Sequence, residues 1–201
     1  MDDKVSVVLD HYHQRIASEQ AQPRPSSADD RDARLLAVGP ETGRLINILA
    51  RSKQAPTILE IGTSYGYSGI WLADAARASG GKLITLELQD YKAAYARARA
   101  EEAGLADYID FRVGNALDLI AQIDEPIDFV LLDLWKDLYV PSLEAFYPKL
   151  NPGALIVADN MIRPGGDGVR AYGEAVRTKP GITSVLLPVG TGIEVSRYDP
   201  A

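Results

Sequence analysis

From Thr57 onward the chain alternates short apolar runs with longer stretches of helical character, and that alternation leaves few folds open. The runs are Thr57–Ile61, Leu83–Glu87, Ile109–Val113, Phe129–Asp133 and Ala154–Asp159. Each has strand length, is rich in β-branched and aliphatic residues, and reads as a strand buried on both faces. Between them lie helical stretches from Ser68 through Trp71, Leu72 and Ala75, then Tyr91–Ala103, Ala116–Ile123, Val140–Leu150 and Val169–Lys179. Strand–helix alternation builds a mostly parallel, doubly wound α/β sheet with helices on both faces. The last two runs, Ser184–Pro188 and Ile193–Arg197, are joined through Gly190-Thr191-Gly192, a hairpin signal, so a seventh strand must run antiparallel.

The first strand leads into Gly62-Thr63-Ser64-Tyr65-Gly66-Tyr67-Ser68. Gly62 and Gly66 let backbone approach a ligand, and Ser68 is placed to cap the following helix. A strand, a glycine loop and a helix N-terminus make a nucleotide-type cradle. The spacing is not the Gly-x-Gly-x-x-Gly of dinucleotide folds. It does fit Gly-x-Ser-x-Gly through Gly62, Ser64 and Gly66, the nucleophile elbow of hydrolases, but that chemistry needs a histidine later in the chain. The only histidines, His11 and His13, precede it. The pattern strand, acid, Gly-x-x-x-Gly, helix is also that of S-adenosylmethionine-dependent methyltransferases, with Glu60 as the acid.

In a doubly wound sheet the ligand lies beyond the carboxyl ends of the strands, so the polar residue closing each strand carries the chemistry. Glu87 closes the second strand, where an acid can accept both hydroxyls of an adenosine ribose. Asp133 closes the fourth, and Asp159 with Asn160 the fifth. Three side-chain oxygens at one rim suit a hard cation such as Mg²⁺. The chain has no cysteine, so thiolate zinc sites, disulfides and cysteine nucleophiles are excluded. Lys136, three residues after Asp133, is placed beside that ion, where a dication disfavours the ammonium form as a general base requires.

These residues resemble the metal-dependent, catechol-type O-methyltransferases, a family that includes the plant caffeoyl-coenzyme A enzymes and many small bacterial ones. The matching pieces are Ala37–Gly43, Leu59–Ser68, Leu83–Glu87, Asp133–Tyr139 and Ala158–Asn160, with the ending Leu186–Glu194 similar to bacterial members. The resemblance covers roughly Leu35 to Tyr198. It implies a Rossmann-like class I methyltransferase sheet and transfer of a methyl group from S-adenosylmethionine to a catechol hydroxyl. In its terms Glu60, Gly62 and Ser68 hold the methionine end of the cofactor, with Val38 touching it by backbone. Glu87 binds ribose, Gly114 and Ala116 flank adenine, and Trp135 packs on it; Ser64, Leu88 and Asp133 join the cofactor-binding set. Asp133, Asp159 and Asn160 hold Mg²⁺ or another divalent cation, and Lys136 takes the proton of the acceptor hydroxyl.

Two departures qualify the resemblance. The animal catechol enzyme carries a glutamate where this chain reads Thr183-Ser184-Val185-Leu186, so the second acceptor oxygen would rest on the metal alone. Many bacterial and plant members have Asp-Ala-Asp-Lys where this chain has Asp133-Leu134-Trp135-Lys136. Arg163, Pro164 and Gly165–Gly168 are placed to line the acceptor pocket or simply to join strand to helix.

The remainder is read as part of the same single domain, 1–201, with N-terminal helices over 1–51 and the core over 57–201. Val5, Val8, Leu9, Tyr12 and Ile16 give a first helix from Asp3 to Ala21 its apolar face. A short helix over Ser27–Leu36 and a third carrying Leu45, Ile46, Ile48 and Leu49 follow. They either roof the site or serve as core helices or a dimer surface; related bacterial enzymes are often dimers, so the resemblance allows a homodimer. The net charge of −7 argues against nucleic acid as partner. No apolar run reaches the ~20 residues of a membrane span, and no signal peptide is read, so a cytoplasmic enzyme is expected.

Overall fold

Seven strands form one sheet in the order β3-β2-β1-β4-β5-β7-β6. The structure is a computed structural model and describes residues 1–23, 27, 30 and 32–200. The strands are β1 (Thr57–Ile61), β2 (Lys82–Glu87), β3 (Ile109–Val113), β4 (Ile127–Leu132), β5 (Leu150–Ala158), β6 (Ile182–Leu187) and β7 (Ile193–Tyr198). The helices are α1 (Asp3–Gln20), α2 (Pro40–Arg51), α3 (Tyr67–Ser79), α4 (Asp90–Glu102), α5 (Ala116–Ala121), α6 (Tyr139–Phe146) and α7 (Asp167–Thr178). Strands β1 to β5 pair in parallel, and β7 lies antiparallel between β5 and β6. The expected mostly parallel sheet with a closing hairpin is thus present. Among the described residues no helix is long and apolar enough to cross a membrane.

The two-residue period of a strand sorts the core into two layers. Ile58, Leu83, Phe129, Leu131 and Val157 point to one face, where they pack with Ile46 and Ala50 of α2 and with Tyr67, Ile70 and Trp71 of α3. Leu59, Ile61, Ile84, Leu86, Val130, Leu132 and Ile156 point to the other, against Ile120, Leu143, Phe146, Tyr172 and Val176. Buried on both sides, these strands need apolar residues at every position, which is why the runs read as unbroken. Glu60, which shares the face of Ile58, and Thr85 beside it on β2 are buried polar exceptions.

Three local expectations are corrected. Ser68 does not cap α3; Gly66, at φ +90°, occupies the N-cap and Ser68 lies within the first turn. The helix expected over Val140–Leu150 ends at Phe146, because Pro148 opens a separate short turn. The last parallel strand begins at Leu150, earlier than Ala154, and its pairing with β4 shifts register around Asn151-Pro152-Gly153. The helix expected over Ser27–Leu36 falls partly outside the described residues, and Leu35–Gly39 are not helical.

Candidate active site

The ladder runs one residue past the ends of the parallel strands and so lines up their closing residues. The amides of Gly62 and Thr63 both donate to Leu86 O, Asp133 N donates to Ile61 O, Asp159 N to Leu132 O, and Gly114 N to Glu87 O, at 2.8–3.1 Å. Gly62 holds φ +106°, and a Cβ there would stand 2.1 Å from the carbonyl oxygen of Asp133. Only glycine lets β1 and β4 approach this closely, so the glycine brings the cradle against the carboxylate strand end.

Two acids hold the cradle side. Glu60 Oε2 accepts from the Thr85 hydroxyl at 2.5 Å, and Thr85 also bonds Thr63 Oγ1. Its other oxygen, Oε1, is buried without a partner. Burial pushes the Glu60 carboxyl up to about 7; Ser68 and Thr85 oppose this, while the charges of Asp133 and Glu87 add to it. Glu87 is held by backbone: its Oε2 accepts from Ser64 N at 2.7 Å and its Oε1 from Gln89 N at 2.9 Å. A carboxylate offers about four lone-pair directions, so two remain for ribose hydroxyls. Ser64 reaches Glu87 from a left-handed turn, φ +47°, while its hydroxyl donates to Leu35 O.

The other side is a continuous polar chain. Lys136 Nζ donates to Asp133 Oδ1 at 3.1 Å and to Tyr139 Oη at 2.8 Å, and Tyr139 Oη donates to Asp159 O at 3.1 Å. Thr191 Oγ1 donates to Asp159 Oδ1 at 2.7 Å and accepts from Asn160 Nδ2 at 3.1 Å. Burial raises the Asp133 carboxyl, against the pull of Lys136. Burial, and then the charge of Asp133, push Asp159 up to about 7, against Thr191, the Asn160 amide and Lys136. A buried carboxylate and a partly buried one that repel one another at neighbouring strand ends are a pair whose repulsion a dication could relieve. Among the described residues no three His, Cys, Asp or Glu side chains gather as a metal cluster; two carboxylates and an amide are the oxygen donors available at these strand ends.

Other expected site residues border these groups. Gly114 is tied to Glu87 through its amide, and Ala116 opens α5 behind the cap that Asn115 makes. Leu88 and Trp135 are exposed apolar side chains beside Glu87 and Lys136 in the chain, and Val38 is buried. Arg163 donates to Gly190 O at 2.7 Å, and Gly168 packs against the carbonyl of Lys136, so the 163–168 loop joins the hairpin turn to the segment after β4. Val185 and Leu186 are exposed on β6.

Tyr139, Thr191, Thr63 and Thr85 were not singled out from the sequence. Tyr139 closes the Asp133–Tyr139 match and Thr191 sits in the hairpin turn; only contacts across the fold give them a role. A strap was missed as well. Asp32 pairs with the buried Lys92 at 2.6 Å and with the Gln89 amide, and the carbonyls of Ala33 and Leu35 accept from Tyr65 and Ser64. This stretch lies over the glycine loop.

The chain is similar to known proteins along nearly its whole length. The chain is 34% identical, over 99% of its own length and 96% of the relative's, to a catechol O-methyltransferase of Niastella koreensis. The chain belongs to the catechol-type S-adenosylmethionine-dependent O-methyltransferases. A second catechol O-methyltransferase, from Mycobacterium tuberculosis, is 37% identical over 70% of this chain and 64% of its own. A methyltransferase-domain family model matches residues 59–161. Among solved structures, a Bacillus cereus O-methyltransferase in complex with S-adenosylhomocysteine superposes with a TM-score of 0.79 at 30% identity, covering 99% of this chain and 92% of that one. The O-methyltransferase TomG of Streptomyces achromogenes, in complex with S-adenosylmethionine, gives 0.78 at 30% identity, with 99% and 91% covered. As an S-adenosylmethionine-dependent O-methyltransferase, the protein needs a counter-charge for a cationic amino acid, and the unpartnered oxygen of Glu60 is a fitting one.

Proposed function

We propose that this methyltransferase transfers the methyl group of S-adenosylmethionine to a hydroxyl of a catechol-like small molecule, with Mg²⁺ held by Asp133, Asp159 and Asn160 and with Lys136 as general base. The observation that carries the reading is the polar chain from Asp133 through Lys136 and Tyr139 to Asp159, Asn160 and Thr191, set against the cradle of Glu60 and Glu87. The names of the catechol relatives support the acceptor class.

On this reading Glu60 and Ser68, with Gly62 and the Val38 backbone, hold the methionine end of the cofactor. Glu87 and Ser64 hold the ribose, while Leu88, Gly114, Ala116 and Trp135 enclose the adenine. A divalent cation held by Asp133, Asp159 and Asn160 would lower the pKa of the acceptor hydroxyl. Lys136 receives the proton of that hydroxyl, and its one-quarter exposure lets the proton pass on to water. The acceptor oxygen then takes the methyl carbon in line, with the bond to sulfur breaking and its electron pair staying on sulfur. Both formal charges vanish, so the residues contribute chiefly by holding oxygen and methyl in near-attack geometry. The buried Tyr139 keeps its proton, since burial raises its phenol well above the usual range, and fixes the Lys136 amine between itself and Asp133.

We place the enzyme as one domain, 1–201, acting in the cytoplasm on a small phenol, alone or as a homodimer. The test is incubation with S-adenosylmethionine, Mg²⁺ and a broad panel of catechols and monophenols. Methyl transfer that EDTA abolishes is expected; transfer indifferent to EDTA, or none across the panel, overturns the metal-dependent reading.

A further inference from the structure

The Thr191 hydroxyl has one proton and two lone pairs, and the structure shows where each goes. Asp159, an acceptor when ionised, takes the proton at 2.7 Å. Thr191 can therefore only accept from Asn160, which offers its amide nitrogen at 3.1 Å. With Nδ2 turned to Thr191 and to Asp159 Oδ2, the carbonyl oxygen of Asn160 is the end left for an ion. Asn160 itself holds φ +58°, a left-handed conformation that asparagine tolerates better than most residues. Backbone bonds hold the turn to the same loop: Thr191 O accepts from Ile162 N and Arg163 N at 3.1 and 2.8 Å, and Gly192 O accepts from Met161 N at 2.9 Å. The β6–β7 hairpin turn is thus stitched to the segment that follows β5.

We infer that Thr191 is a positioning residue for the metal: its single hydroxyl proton, given to Asp159, dictates which end of the Asn160 amide faces the ion. The inference rests on the metal site proposed above. A hydroxyl that donates to one ligand and accepts from its neighbour sets the aim of both. Thr191→Val keeps the shape and the backbone bonds but removes this proton logic. Thr191→Ser keeps the logic and loses one methyl.

The experiment is a Mn²⁺ titration of the purified full-length protein, followed by electron paramagnetic resonance of free Mn²⁺. Calorimetric binding of S-adenosylhomocysteine and the thermal midpoint are recorded alongside. Thr191→Val is expected to weaken Mn²⁺ by roughly 10–100-fold, while cofactor-product affinity stays within about twofold and Thr191→Ser recovers most of the metal affinity. An aspartate has two equivalent oxygens and no amide to orient. In an Asn160→Asp background, the Thr191→Val penalty should therefore shrink to about threefold or less. Asp159→Asn serves as control for the site. If Asp159→Asn abolishes Mn²⁺ binding but Thr191→Val binds normally, the inference falls and the metal site stands. If Asp159→Asn binds Mn²⁺ as the parent does, the site falls and the inference with it. A penalty equally large in the parent and in the Asn160→Asp background, or one not recovered by serine, also overturns it. Should Thr191→Val fail to fold, Thr191→Ala is titrated in its place against the same expectations.

Discussion

The two halves of the site restrain their carboxylates by different means. On the β1–β2 side Glu87 is gripped by two backbone amides, and Glu60 sits under α3 with Thr85 and one oxygen unmet. On the β4–β5 side the Asp133 carboxylate is held by the Lys136 side chain, and that of Asp159 by the side chains of Thr191 and Asn160 together with the Asn160 backbone amide. Backbone restraints follow from the sheet and survive most substitutions nearby. Side-chain restraints, whether from a neighbour such as Lys136 or from distant Thr191, are lost one substitution at a time. The contrast predicts that catalysis and metal binding are separable from cofactor binding by mutation, whereas damage to the cradle affects everything.

The largest expected effect breaks only the metal side. Lys136→Ala should lower kcat by about 10²–10⁴-fold, the range of a general base, with S-adenosylhomocysteine affinity measured by calorimetry nearly unchanged. A variant with normal kcat removes the base assignment. Next comes the joint between the halves. Gly62→Ala places a Cβ 2.1 Å from the Asp133 carbonyl at a left-handed φ, and it should cost roughly 3 kcal/mol in urea unfolding while impairing both ligands. Loss of metal affinity alone would deny the joint.

A pH experiment sharpens the cradle side. Burial lifts Glu60 from 4.5 to about 7, so in this window the folded state binds a proton that the unfolded chain has released. Stability of the ligand-free protein contributed by this group therefore falls as pH rises from about 4.5 to about 7, then levels. Glu60→Gln should remove on the order of 2 kcal/mol of that decline between pH 5 and 7.5, read from denaturation midpoints at each pH. An unchanged difference between the two proteins across the range rejects the shift. A cationic amino group against Glu60 favours the carboxylate, so cofactor affinity should climb over the same window in the parent and stay flat in the variant.

The smallest effect concerns the strap. Asp32→Asn leaves the buried Lys92 amine without its counter-charge and should cost about 1–2 kcal/mol. It should also speed release of S-adenosylhomocysteine a few-fold in stopped flow, because the strap lies over the glycine loop through Ser64 and Tyr65. An unaltered release rate would make the pair a matter of stability only.

Much of the cradle was legible in one dimension because its parts are near neighbours in the chain: Glu60, Gly62 and Ser68 lie within nine residues, and Glu87 closes the next strand. The closing acids of β4 and β5 were legible for the same reason, since a doubly wound sheet sends every parallel strand end to one rim. Local turn geometry was read less well. A serine before an apolar run is a common cap, yet Gly66 took that place at φ +90°, a conformation serine adopts at a cost. The fifth strand, expected from Ala154, begins at Leu150, and it absorbs Pro152-Gly153 by shifting register against β4.

By itself the sequence determined the sheet, its two apolar layers and the acids at its rim, because these follow from the two-residue period and from the direction of each strand. Only the tertiary structure decided how those acids are aimed. The hydroxyl that orients Asn160 comes from Thr191, 31 positions further on, and the counter-ion of Lys92 comes from Asp32, 60 positions back. Such pairs depend on which loops meet after the sheet has closed, and no spacing in the chain records that meeting.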